Sequence, residues 1–197
     1  MADITPSASV ITLMPAGLRT LYERMPRVSR EDRKLIETKG VRTTNGYNKY
    51  WFSAEHYSMD ERLWADLERF VKRAKRLVDI GCGAGEMLML FHQINPKAEL
   101  IGIEIEPATA EVASRYLAGV AEVICADART CSLRGADSVY TWNPSYDSSS
   151  FYGEIWANLP RGTRWFELAV HHYSSLLNVL RARRLNYDMR GTVVVKR

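Results

Sequence analysis

Between about Met59 and Arg76 the apolar residues Leu63, Trp64, Leu67, Phe70 and Val71 recur at helical spacing. The basic residues Lys72, Arg73, Lys75 and Arg76 follow at what would be the negative end of that helix's dipole. Beyond this point the pattern changes. Short apolar runs at Leu77–Ile80, Leu100–Ile105, Val123–Cys125, Val139–Trp142 and Trp165–Val170 predict strands. Between them lie helical or turn segments at Glu86–Ile94, Pro107–Leu117 and Phe151–Leu159, and a short connection over Ala128–Leu133. A last helix, Ser174–Leu185, leads through Arg190-Gly191 to a closing strand at Thr192–Lys196. Strand–helix alternation of this kind implies an α/β fold, with a mainly parallel, doubly wound sheet and helices on both faces.

The segment before the first strand has a different texture. Residues 1–17, with Thr5, Pro6, Ser7, Ser9, Pro15 and Gly17, read as a loose arm. From Leu18 to about Thr38 the charges are dense and fit one or two short helices broken at Pro26, with Ser29 as N-cap ahead of Glu31 and Asp32. Gly40–Tyr57 then carries the Asn45-Gly46 turn signal and a crowd of aromatics: Tyr47, Tyr50, Trp51, Phe52 and Tyr57. The chain therefore divides into a helical and aromatic N-terminal extension, 1–76, and an alternating core, 77–197, within one compact domain. A length of 197 residues suits a single domain, and 46% apolar with 25% charged residues excludes a wholly disordered chain.

No apolar run approaches the roughly 20 residues of a membrane-spanning helix, and Val10–Met14 is too short for a signal-peptide core. Cys82, Cys125 and Cys131 show no metal-like or disulfide pairing, so a reducing, cytoplasmic setting is expected. His56 and His92 have no ligand spacing, and no metal is predicted. The net charge of +4 is unevenly spread: residues 1–76 hold 15 Lys/Arg against 10 Asp/Glu, 77–160 hold 4 against 11, and 161–197 hold 8 against 2. The two basic flanks, and within them the cluster Arg181, Arg183 and Arg184, suit an anionic partner; they suit a solvated helix end and solvated faces equally well.

The sharpest feature is Leu77-Val78-Asp79-Ile80-Gly81-Cys82-Gly83-Ala84-Gly85-Glu86, a strand ending in an acid, then alternating glycines, then a helix start. Glycines at such a turn let a ligand approach the backbone closely. The spacing is G-x-G-x-G rather than the G-x-G-x-x-G of dinucleotide sites, which disfavours a nicotinamide oxidoreductase. Asp79 would sit badly beside a diphosphate and well beside an ammonium group. Glu104, 23 residues beyond Gly81 and at the tip of the second strand, can accept from a ribose diol. The third strand ends in Ala126-Asp127-Ala128, where a carboxylate can accept from an adenine amino group; an Asp here is also a common cap.

These residues, over about 77–170, resemble the class I S-adenosylmethionine-dependent methyltransferases, which implies a Rossmann-like core and S-adenosyl-L-methionine as cofactor. By that resemblance Asp79 and the loop Gly81, Cys82, Gly83 and Gly85 hold the methionine portion. Glu104 takes the ribose, Ile105 packs near the adenine, and Asp127 with Ala128 meets its amino edge. The tip of the fourth strand, Thr141-Trp142-Asn143-Pro144-Ser145-Tyr146-Asp147, resembles the (Asp/Asn)-Pro-Pro-(Tyr/Phe) motif of methyltransferases acting on planar nitrogens, with Ser145 in place of the second proline. It implies catalytic roles for Asn143, Pro144 and Tyr146: an amide oxygen and a backbone carbonyl orient an amino group while a ring stacks on the acceptor. Asn-Pro-Ser is also an ordinary turn sequence.

A weaker resemblance, to the non-SET lysine methyltransferases, also points to nitrogen. The class I resemblance also implies that the 1–76 extension covers the site, with Tyr47 and Tyr50 lining the acceptor side as part of a lid. The implied acceptor is a nucleic-acid base or protein side chain, with a small molecule as the rival and a non-catalytic binding subunit as a further alternative.

Overall fold

The computed structural model describes residues 14–39, 61–142, 148–168, 175–190 and 192–197. Two helices, α1 (Ala16–Arg24) and α2 (Arg30–Lys39), and a third, α3 (Glu61–Lys72), precede the sheet. The core then runs β1 (Arg76–Ile80), α4 (Glu86–Ile94), β2 (Glu99–Glu104), α5 (Pro107–Tyr116) and β3 (Glu122–Cys125). A 3-10 turn (Ala128–Thr130) leads to β4 (Ser138–Trp142), α6 (Ser148–Asn158) and β5 (Arg164–Leu168). The chain closes with α7 (Ser175–Ala182), β6 (Tyr187–Arg190) and β7 (Val193–Lys196). Among the described residues no helix is long and apolar enough to cross a membrane.

One seven-stranded sheet has the order β3-β2-β1-β4-β5-β7-β6. The first five strands are parallel, whereas β7 runs antiparallel to both β5 and β6. Leu77 lies opposite Leu100 on one side and Ser138 on the other, so β1 is central. The chain winds outward from β1 to β3, returns, and continues from β4 in the other direction. A crevice opens at such a reversal, beyond the carboxyl ends of β1 and β4.

The period-two alternation of the strands separates two cores. Leu77, Leu100, Tyr140 and Phe166 face Trp64, Leu67 and Phe70 of α3, Leu88 and Phe91 of α4, and Tyr22 of α1. Val78, Ile101, Val139 and Trp165 face Tyr152, Ile155 and Trp156 of α6 and Leu176 and Leu180 of α7. Both faces are covered, which is why the inner strands read as near-continuous apolar runs.

The break at Pro26 and the Ser29 cap are as the sequence predicts. Ser29 Oγ accepts from the Asp32 backbone N–H (3.0 Å) and its hydroxyl donates to the Asp32 carboxylate (2.8 Å). Ser29→Ala is expected to cost about 1 kcal/mol, a fall of roughly 3 °C in the thermal midpoint, read by scanning calorimetry.

At the C-terminal end the closing strand pairs with β6, a strand whose range the sequence leaves unassigned, in a short antiparallel hairpin, and α7 spans Ser175–Ala182 rather than reaching Leu185. Tyr187–Arg190 carries no apolar run because it is a half-exposed edge strand, where polar residues are favoured. Arg76, read as part of a basic helix end, opens β1 instead. The Asp137 carboxylate accepts from the Lys75 and Arg76 backbone N–H groups and so starts the strand there.

Candidate cofactor site

Gly81, Gly83 and Gly85 all have positive φ (78°, 56° and 89°), which explains their alternation: the loop turns through the left-handed region at every second residue. Gly85 is the N-cap of α4, and an added Cβ there would lie 2.5 Å from Leu117 Cδ1. The tip of β1 is tied to β2, since the Gly81 and Cys82 N–H groups both donate to the Ile103 carbonyl (2.8 and 3.1 Å). The Glu104 carboxylate then reaches across the loop. One oxygen accepts from Gly83 N–H (3.0 Å) and the other from Glu106 N–H (2.9 Å), leaving lone pairs on both.

Asp79 is buried below the same loop. Burial first, and then the neighbouring charge of Glu104, hold its carboxyl well above the usual range. Burial likewise raises Glu104, opposed by the backbone donors of Glu106 and Gly83. Among the described residues no Lys or Arg pairs with either acid. Two buried carboxyls side by side without a cation are costly to the free protein, and they form a place where a positively charged ligand group gains most.

Cys82 directs its side chain inward: a Cβ on Gly102 would meet Cys82 Sγ at 2.6 Å and Leu88 Cδ1 at 2.8 Å. Its thiol is pushed up by burial and by the charges of Asp79 and Glu104, so it serves as packing under the loop. Ile105, beside Glu104, is 65% exposed, an unusual state for a large apolar side chain among the described residues. Asp127 lies one strand further out, where the Ala126 N–H donates to the Glu104 carbonyl (3.0 Å). Its carboxylate caps the 3-10 turn through Arg129 N–H (2.9 Å) and pairs with the Arg129 guanidinium, which holds it below the usual range. Ala128 is buried in the α6-side core.

Asp79, Gly81, Cys82, Gly83, Gly85 and Glu104 are thus contiguous, Ile105 flanks them, and Asp127 and Ala128 follow at the next strand tip. Asn143, Pro144 and Tyr146, and with them Tyr47 and Tyr50, lie outside the described residues.

Two contributions were not read from the sequence. Gly102, in the interior of β2, lets the loop and α4 settle onto the sheet; an isolated strand glycine is the usual signal for such a close approach. The N-terminal helices press on the loop's outer side. Ala84 packs with Val28, Ile36 and Val112, Arg33 faces Glu86 at 3.5 Å, and Tyr116 Oη donates to the Pro26 carbonyl (2.6 Å). Only the fold brings these groups to the loop.

Residues 78–141 match the family model described as a methyltransferase domain. The malonyl-[acyl-carrier protein] O-methyltransferase of Anoxybacillus flavithermus is 36% identical over 104 residues, which is 52% of this chain and 38% of that protein. The chain therefore spans less than two fifths of the length of this curated relative. Among solved structures, a Methanococcus maripaludis protein assigned to the S-adenosyl-L-methionine-dependent methyltransferases superposes with a TM-score of 0.54 at 13% identity, covering 68% of this chain and 82% of that one. The precorrin-6y C5,15-methyltransferase of Geobacter metallireducens gives 0.51 at 11% identity, covering 69% and 86%. At such identities the two structures establish the shared fold. The chain has the fold of these methyltransferases, and its cofactor half, residues 78–141, carries the sequence match to a methyltransferase domain.

Proposed function

We propose that the chain binds S-adenosyl-L-methionine and transfers its methyl group to a nitrogen of a nucleic-acid base or protein side chain. The observation that carries the cofactor half is the Glu104 carboxylate bonded to Gly83 N–H beside a buried Asp79 that has no cation partner among the described residues. An adenosyl sulfonium with an amino-acid tail fits that set. It brings an ammonium group for the acids, a diol for the free lone pairs of Glu104, and a flat base for exposed Ile105.

The cofactor supplies a methyl group made electrophilic by the adjoining sulfonium. The chain's own residues bind and position. Asp79 would take the ammonium, the glycine loop would permit close approach of the tail, and Glu104 would fix the ribose and with it the direction of the methyl group. Holding the acceptor's lone pair in line is then the main source of rate. Asn143 and the Pro144 carbonyl would accept from the acceptor's N–H groups, and Tyr146 would stack against a planar acceptor.

A second reading, a small-molecule or carrier-linked acceptor, is favoured by the name of the curated relative, an O-methyltransferase of malonyl-[acyl-carrier protein]. The family match ends at residue 141, before the Asn143 loop, so it bears on the cofactor half alone.

The test uses cofactor labelled in the methyl group, offered separately with RNA, DNA, basic protein and malonyl-loaded carrier protein. Label in the nucleic acid or basic protein supports the nitrogen reading, and label in the carrier adduct alone replaces it. Absence of S-adenosylhomocysteine binding by calorimetry would remove the cofactor assignment itself. Asn143→Ala is expected to keep that binding while turnover falls about a hundredfold, as for loss of one positioning hydrogen bond.

A further inference from the structure

The rim of the sheet opposite the crevice holds a charge pattern that methyl transfer does not use. Residues just before parallel strands share one edge. Lys97 precedes β2, Arg73 and Lys75 precede β1, Arg134 precedes β4, Arg161 precedes β5 and Arg184 precedes β6. All six side chains are exposed and none has an ion pair among the described residues. The acids on this rim are mostly engaged: Glu99 with Arg76, Asp188 with Arg197, and Asp137 with Arg164 and the start of β1. Glu122, at the β3 end, is the exposed exception.

The molecule keeps these cations at a cost to its own stability. Arg184 sits at φ +52°, the one non-glycine residue with positive φ among the described residues, at the end of α7 where Leu185 N–H donates to the Leu180 carbonyl (2.9 Å). Glycine is strongly preferred at this helix-terminating position, and an arginine there is strained. Arg161 lies close enough to Lys196 to depress its pKa, after burial, and Arg73 acts in the same direction on Arg164. Lys196 and Arg164 are committed to structure. Lys196 Nζ donates to the Trp156 and Leu159 carbonyls at the end of α6, and Arg164 pairs with Asp137 and lies over the Phe70 ring. Arg161 and Arg73 therefore stand beside partly buried cations and have no acid paired with them among the described residues.

We propose that this rim docks the sugar–phosphate backbone of a nucleic acid. The cations are strung out roughly one per strand end. With strands about 4.8 Å apart, the row from β2 to β6 is about 24 Å long, matching a run of phosphates rather than a single anion. Exposed large apolar side chains, which an acidic protein partner or a lipid surface would call on, number two among the described residues, and they lie elsewhere: Ile105 at the crevice and Met189 within β6. Because the rim faces away from the crevice, the contact tethers the enzyme to the polymer and leaves the cofactor site open.

The test is fluorescence anisotropy with a fluorescein-labelled 24-base-pair DNA duplex and the matching single-stranded RNA, from 50 to 200 mM salt, using the full chain. Binding of one or both is expected, with affinity falling along a log–log slope of about −5 for six phosphate contacts. Arg161→Glu combined with Arg184→Glu should bind about tenfold more weakly at low salt and flatten the slope by about 2. Arg184→Gly separates docking from folding: its thermal midpoint should rise, because strain is relieved, while the slope flattens by about 1. The proposal is overturned by no anisotropy change at 50 mM salt, by rim variants that bind like the parent, or by polyglutamate competing as well per charge as unlabelled duplex.

Discussion

Asp79→Asn is expected to make the free protein more heat-stable at neutral pH and, in the same variant, to weaken S-adenosylmethionine binding by roughly 10- to 100-fold, the worth of a charge-assisted hydrogen bond. Both effects come from one fact: Asp79 is buried, lies beside Glu104, and has its carboxyl held well above the ordinary range, chiefly by desolvation. The folded chain binds that proton more tightly than the unfolded chain does. Stability from this group is therefore fully present in acid and is lost as the pH rises from the ordinary aspartate range through the raised value. Asparagine keeps the shape and removes the charge, so the variant's advantage over the parent should be largest at neutral pH and shrink on acidification.

Ligand binding runs the other way. An ammonium group needs Asp79 ionised, so parental affinity should climb with pH through the raised value, and binding should release a proton. Calorimetry in two buffers of different ionisation enthalpy measures that proton directly. A variant with parental affinity and parental stability would show that Asp79 neither meets the ligand nor stores the strain.

The same buried pair explains what sequence could and could not show. The sheet was legible because strands covered on both faces are written as compact apolar runs, Val78 and Leu77 alternating between two cores much as Val139 and Tyr140 do. The loop was legible because positive φ at alternate residues leaves glycine as the low-strain choice. The place of Glu104 at the tip of β2 was legible from its spacing, yet its hydrogen-bond partners were not. That one carboxylate would bridge the Gly83 and Glu106 N–H groups depends on how far β2 extends past β1.

The position of β6 was not legible because an edge strand gains from polar residues and so has no apolar signature. Asp127 shows the ambiguity of a short acid. Its carboxylate caps the turn and pairs with Arg129, and the spare lone pairs that an adenine amino group would need are a property of that geometry rather than of the residue type. The N-terminal helices were predicted as helices, but their pressure on Ala84 and Glu86 follows from tertiary packing alone.

Gly102→Ala should overpack the buried layer between the glycine loop and the sheet. The new Cβ would stand 2.6 Å from Cys82 Sγ, 2.8 Å from Leu88 Cδ1 and 3.1 Å from Cys82 Cβ, in a layer where Cys82 and Leu88 are themselves buried. Leu88, on α4, must shift its far end within a filled core, and Cys82 lies in the loop between Gly81 and Gly83, so its retreat displaces the loop. Overpacking of this kind costs about 1–3 kcal/mol. For a chain of this size that is a fall of roughly 3–10 °C in thermal midpoint.

Part of the strain should leave through the loop, because the clashing Cys82 is itself a loop residue, flanked by Gly81 and Gly83. Cofactor affinity is therefore expected to drop along with stability. Cys82→Ala removes the nearest clashing atom, so the double variant should recover both quantities together, and it should be more stable than the two single changes sum to. If Gly102→Ala lost stability while holding the cofactor as tightly as the parent, the sheet beneath the loop would be packing alone, with no hand in shaping the site.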